Sequence, residues 1–152
     1  MKLLNKTAIL SAATAATLLA FAAHAQVTVK DPWVRATVPA AKASGAFMLL
    51  QSAQDARLVA VRSPVAGMVE LHQMSMDNDM MKMSAVDGID LPAGKPVALA
   101  SGGYHVMLMG LKRQMKEGES IPLTLVVQKK DKKLETVEVK ALVKPLNYSP
   151  SK

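Results

Sequence analysis

The chain contains no cysteine. That absence excludes a disulfide scaffold, and it excludes every metal site that depends on thiolate, blue copper electron-transfer centres included. Aromatic residues are nearly as scarce. Beyond residue 25 only Trp33, Phe47, Tyr104 and Tyr148 occur, so the core must be built from Val, Leu, Ile, Ala and Met. Sustained helical periodicity is missing too, and Pro and Gly interrupt the chain often. With so few aromatics and no binding motif, nucleic acid is not expected as a partner.

The beginning of the chain reads as an export signal. Lys2 and Lys6 precede an uncharged apolar stretch, Thr7 to Ala22, and Ala23-His24-Ala25 is a small-x-small cleavage pattern. The expectation is a signal peptide over 1–25, a working domain over 26–147 and a short disordered tail over 148–152. Cleavage would leave 17 basic and 12 acidic side chains, a net charge of +5. Much of this excess lies in Lys129, Lys130, Lys132 and Lys133, which suit a solvated hairpin turn.

Short runs rich in Val, Leu, Ile and Met recur between turn signals. They are Gln26 to Val29, Gly45 to Gln51, Arg57 to Arg62, Met68 to Met76, Met80 to Val86, Val97 to Ala100, Tyr104 to Leu111, Ile121 to Lys129 and Leu134 to Val143. Eight or nine short strands at this spacing predict an all-β antiparallel sandwich or barrel. Leu123, Leu125 and Val127 alternate with polar or exposed positions, as do Val137 and Val139. Ala40 to Ser44 suggests a short turn of helix.

What the chain does have is methionine. Nine of its eleven lie between Met68 and Met115, together with His72 and His105, the two histidines outside the leader. Methionine often serves only as core filler, but that role does not gather the histidines into the same window. In an extended strand Glu70, His72, Met74 and Met76 share one face, opposite Val69, Leu71 and Gln73. His105, Met107 and Met109 likewise share a face opposite Val106 and Leu108. A tight turn at Asp77-Asn78-Asp79 would fold the Met80 to Val86 run, which contains Met83, back beside His72. Thioethers are soft, uncharged donors that suit Cu(I) and bind Mg(II) or Ca(II) poorly, and zinc rarely uses them. Neutral imidazole is required for binding, so affinity should fall as pH drops through the histidine range, about 6.5.

The spacing resembles that of periplasmic copper chaperones of the PCuAC type: His, ten residues, Met, twenty-one residues, then His-x-Met. His72, Met83, His105 and Met107 fit it. The segments Val69-Glu70-Leu71-His72, Met80-Met81-Lys82-Met83 and Gly102 to Leu111 are similar to that family as well. The resemblance implies a cupredoxin-like β-sandwich in the periplasm, with His72, Met83, His105 and Met107 as ligands of one Cu(I). It implies delivery by ligand exchange toward the CuA subunit of cytochrome c oxidase or another copper assembly protein. Met74, Met76, Met80, Met81 and Met109 are candidates for assisting exchange. Some relatives have a His- and Met-rich C-terminal extension adding Cu(II) capacity, and no such segment precedes Lys152. A monomer without stable membrane insertion and without enzymatic activity is expected. The alternatives are copper buffering or resistance with the same ligands, and a metal-free sandwich module for adhesion or assembly.

Overall fold

The computed structural model describes residues 26–151, so the expected signal peptide lies outside the described residues. Ten strands follow one another: β1 (Val27–Arg35), β2 (Ala43–Ser52), β3 (Ala56–Arg62), β4 (Ala66–Asp77), β5 (Met80–Val86), β6 (Ile89–Leu91), β7 (Pro96–Leu99), β8 (Tyr104–Leu111), β9 (Ser120–Lys129) and β10 (Leu134–Lys144). They form one continuous sheet in the order β5-β4-β8-β7-β2-β1-β10-β9-β3-β6, with β2 also pairing β8. Pairing is antiparallel except between β1 and β10 and at the single β7–β8 bridge. The sheet wraps into a β-sandwich, the cupredoxin-like form that the family resemblance implies, with ten strands rather than eight or nine.

Alternation explains how the sheet closes over its core. In β9 Ile121, Leu123, Leu125 and Val127 are fully buried, and from β10 Ala141 and Val143 join them. They meet Leu58 of β3, Leu50 of β2 and Leu108 of β8 in one cluster. Each such aliphatic side chain removed from water contributes about 1.5–3 kcal/mol. Met115, on the loop before β9, is also fully buried; this methionine is ordinary core filler.

Three local departures from the sequence reading have physical causes. β1 runs on to Arg35, well beyond Val29, because Asp31 takes a positive φ of 49° and the register shifts between Lys30 and Trp33. Pro32, which has no N–H to give the ladder, sits inside that bulge. Ala40 to Ser44 is not helical: Ala41 N–H closes a turn on the Val38 carbonyl, and β2 has begun by Ala43. Tyr148, the first residue of the expected tail, packs edge-on against Trp33 at a centroid distance of 4.9 Å. The carbonyls of Leu146 and Tyr148 accept hydrogen bonds from Arg35.

The β4–β5 hairpin matters most for the site. Asp77 pairs with Met80, and the two residues between them, Asn78 and Asp79, have φ of 48° and 61°. Two positive φ values in a two-residue loop define a type I′ turn, whose twist matches that of the strands it joins. Asn and Asp tolerate this conformation better than other non-glycine residues, so the turn fixes the hairpin register.

Candidate metal centre

The edge of the sheet, β5-β4-β8, carries the histidines and most of the methionines. His72 of β4 lies directly opposite His105 of β8, and on its other side opposite Ala85 of β5. Residues paired across strands project to the same face. That face therefore holds Met68, Glu70, His72, Met74 and Met76 from β4, Met81 and Met83 from β5, and His105, Met107 and Met109 from β8. Leu71, Val106 and Leu108 point the other way and are buried in the core, as the alternation requires.

The two imidazoles are neighbours, with ring centroids 5.6 Å apart and planes inclined at 69°. Both are buried, at 8% and 7% exposure. Each ring has one nitrogen committed to a fixed acceptor. His72 Nε2 donates to Glu70 Oε2 at 2.7 Å, and His105 Nδ1 donates to the Gly103 carbonyl at 3.3 Å. A neutral imidazole that donates from one nitrogen presents a lone pair on the other. For His72 that atom is Nδ1, the one buried side-chain polar atom without a hydrogen-bond partner among the described residues. A buried lone pair with no donor facing it costs about 1–3 kcal/mol, and a soft cation would satisfy it.

Met107 is half-buried and lies opposite Glu70 on β4 and Gly45 on β2. It thus stands diagonal to His72, two residues from His105 along β8. The Met80 to Val86 run does fold back beside His72, with Ala85 directly opposite it, and Met83 faces Met74 two residue pairs nearer the turn. It is again diagonal to His72, and 49% exposed. The fold thus brings the histidines into direct contact and sets one methionine on each side of the pair. Cross-strand diagonals of about 7–8 Å are within reach of long side chains.

No three His, Cys, Asp or Glu side chains gather as a metal-holding group among the described residues. Besides Glu70, the donors that share the face of the histidine pair are the thioether sulfurs of methionines, Met74, Met83 and Met107 among them. Neutral donors leave the ion's charge uncompensated, apart from the Glu70 carboxylate behind His72, and a site at the sheet edge spares that charge full burial. The Glu70 carboxylate holds His72 through Nε2, the kind of contact that fixes the tautomer and orientation of an imidazole.

One contributor escaped the sequence reading. Phe47 of β2 lies with its ring centroid 6.3 Å from that of His105 and stacks on Trp33 at 4.5 Å. The signal was Gly45: a Cβ there would come within 2.8 Å of the Phe47 ring, so glycine makes room for the ring to fold back over the strand. Phe47 also borders a cleft of about 910 Å³ lined by Trp33, Arg35, Lys144 and Tyr148. The cleft adjoins the histidine pair and does not contain it.

Comparisons with known proteins follow the same lines. The family model described as "Putative lipoprotein LpqE-like" matches residues 27–141. A protein of Leifsonia xyli subsp. xyli, "Putative lipoprotein Lxx21020", is 34% identical over 100 residues, covering 65% of this chain and 60% of that protein. The chain therefore spans about three fifths of this relative's length. Among solved structures, the Cu(I) form of DR1885 from Deinococcus radiodurans is 37% identical, with 82% of this chain and 83% of that one covered at a TM-score of 0.57. The copper-bound PCuAC domain from PmoF2 is 24% identical, with 80% and 94% covered at a TM-score of 0.64, a likeness of fold. The chain belongs to the LpqE-like family and has the fold of a PCuAC domain.

Proposed function

We propose that this domain carries Cu(I) as cargo in the periplasm, gripping one ion with His72, Met83, His105 and Met107 and releasing it by ligand exchange. The recipient we propose is the copper centre of a membrane oxidase, or a protein that assembles it. The observation that carries the reading is the His72/His105 pair, in register on adjacent strands with a ring nitrogen of each left free by the hydrogen bond at the other. Similarity to a protein whose structure is known in a Cu(I) form supports the choice of metal.

The donor chemistry favours a carrier over a catalyst. A d¹⁰ ion has little geometric preference of its own, so its ligands can be replaced one at a time by those of a partner. Met83, half exposed on the outermost strand, is the natural first ligand to be exchanged. The buried histidines would let go last. Thioethers bear no proton for the metal to displace and cannot be lost to disulfide formation, which suits an oxidising compartment. Their liability is oxidation to the sulfoxide.

Anaerobic competition against a chromophoric Cu(I) chelator tests the reading. One tightly bound equivalent is expected for the native chain and none for the His72→Ala/His105→Ala variant; tight binding that survives in that variant refutes the assignment. Delivery is tested in a deletion strain. Loss of oxidase activity at low external copper is the expected phenotype, whereas sensitivity confined to high copper would favour buffering.

A further inference from the structure

Beyond the histidine pair the β4–β5 hairpin continues toward its turn, and its two faces differ sharply in chemistry. On the face shared with His72 the next positions are Met74 and Met76 of β4 and Met81 and Met83 of β5. On the other face stand Gln73, Ser75, Asp77, Lys82 and Ser84, with Met80 beside the turn. Every residue of the first set is a methionine, with no Val, Leu, Ile or aromatic among them. Exposed strands favour β-branched and aromatic side chains, so β propensity does not account for this choice. Core packing does not account for it either, since Met76, Met81 and Met83 are 65%, 53% and 49% exposed. The property these four side chains share is a thioether sulfur on a flexible, unbranched stem.

The register turns these sulfurs into rungs. Met76 is directly opposite Met81, Met74 directly opposite Met83, and His72 follows with His105 across from it. Residues directly opposite on such a pair have Cβ atoms about 4.5–5.5 Å apart, close enough for two thioethers to share one ion. Successive rungs are two residues apart along the strand, about 7 Å, a gap that methionine side chains can bridge from both sides. Asp77 leads into the turn, Asp79 lies within it, and both are exposed, giving the end of the ladder an acidic rim that attracts a cation.

We propose that Met76 and Met81, together with Met74, form a second, weaker, thioether-only site for soft monovalent metal. An ion held there reaches the histidine pair by way of the Met74/Met83 rung. The transit role rests on the Cu(I)-carrier reading given above, but binding at the rung does not, and the two are separable. At one equivalent the histidine site alone is filled, because imidazole adds stronger donors there. The outer rung fills only when that site is occupied or disabled.

Ag(I) serves as the probe, since it shares the d¹⁰ configuration and softness of Cu(I) and is indifferent to oxygen. The full domain is labelled at its methionine methyl carbons and titrated while each methyl resonance is followed. The first equivalent should shift Met83 and Met107, and the second Met74, Met76 and Met81. Met76→Leu/Met81→Leu keeps side-chain volume at exposed positions, so the fold should be retained. It should weaken the second event at least tenfold and leave the first unchanged. In His72→Ala/His105→Ala the first added ion should go to the outer rung. Met76 and Met81 resonances that stay fixed through a several-fold excess of Ag(I), or a second event unaltered by the Leu pair, would overturn the proposal. A native chain that binds only at the outer rung would sink the carrier reading and leave the thioether site standing.

Discussion

The β9–β10 and β4–β5 hairpins have the same topology and opposite uses for apolar side chains. β9 turns Leu123, Leu125 and Val127 into the core, where none is accessible to solvent. From Met80 to Ala85 every residue of β5 is exposed. The inward positions of β9 are branched aliphatics, and most exposed apolar positions of β5 are linear thioethers. The difference teaches that methionine in this chain has two roles that only its location separates: Met48 and Met115 pack inside, whereas Met76, Met81 and Met83 hold sulfur at a surface. β4 contains both uses in one strand, since Leu71 is buried in the core and His72, its neighbour, faces its counterpart across the ladder.

Substitutions that treat the two hairpins alike should separate these roles. The largest effect is expected at the site: His72→Ala/His105→Ala should weaken Cu(I) binding by more than about 100-fold, because loss of even an outer partner of a ligand costs about 10–100-fold. Its thermal unfolding should change far less than its affinity. Leu125→Ala should do the reverse. Emptying a fully buried position costs about 2–5 kcal/mol, visible in denaturant unfolding, while the folded fraction keeps its copper affinity. Glu70→Ala comes next: freed of its carboxylate, His72 loses the contact that fixes its tautomer, and affinity should drop about 10-fold or more, measured by chelator competition. Smallest is Met76→Leu in a stability assay, where an exposed, volume-conserving change should stay within about 0.5 kcal/mol.

Acidification sharpens the comparison from another side. Protons compete with metal for imidazole and not for thioether, so acidification should weaken binding at the histidine pair and leave thioether donors unaffected. The β9–β10 hairpin has no part in that equilibrium. Competition titrations at two pH values, run on the native chain and on Leu125→Ala, should show the same decline in both.

Much of this arrangement was legible in the sequence because β structure has a period of two. The alternation in Tyr104 to Leu111 and Met68 to Met76 gave the faces of β8 and β4, and Asp77-Asn78-Asp79 gave the turn. Where the signal failed, a local feature had masked the pattern. Ile89–Leu91 is three residues long with an acid in the middle, too short to show alternation. Asp31-Pro32 reads as a break, yet the bulge carries β1 through it to Trp33. Register between distant strands was not legible at all. Nothing local says that His72 meets His105 rather than Met107, or that Met83 faces Met74 rather than His72; pairing across the whole sheet decides both. Phe47 was hidden for the same reason, since β2 must lie beside β8 before its ring can approach His105.

X-ray absorption at the copper edge, on protein loaded anaerobically with one equivalent of Cu(I), tests the central claim most directly. The account predicts a first shell that contains imidazole nitrogen and thioether sulfur together, with the sulfur contribution reduced in Met83→Leu and in Met107→Leu. A shell of nitrogen and oxygen alone, or one unchanged in both variants, would contradict it.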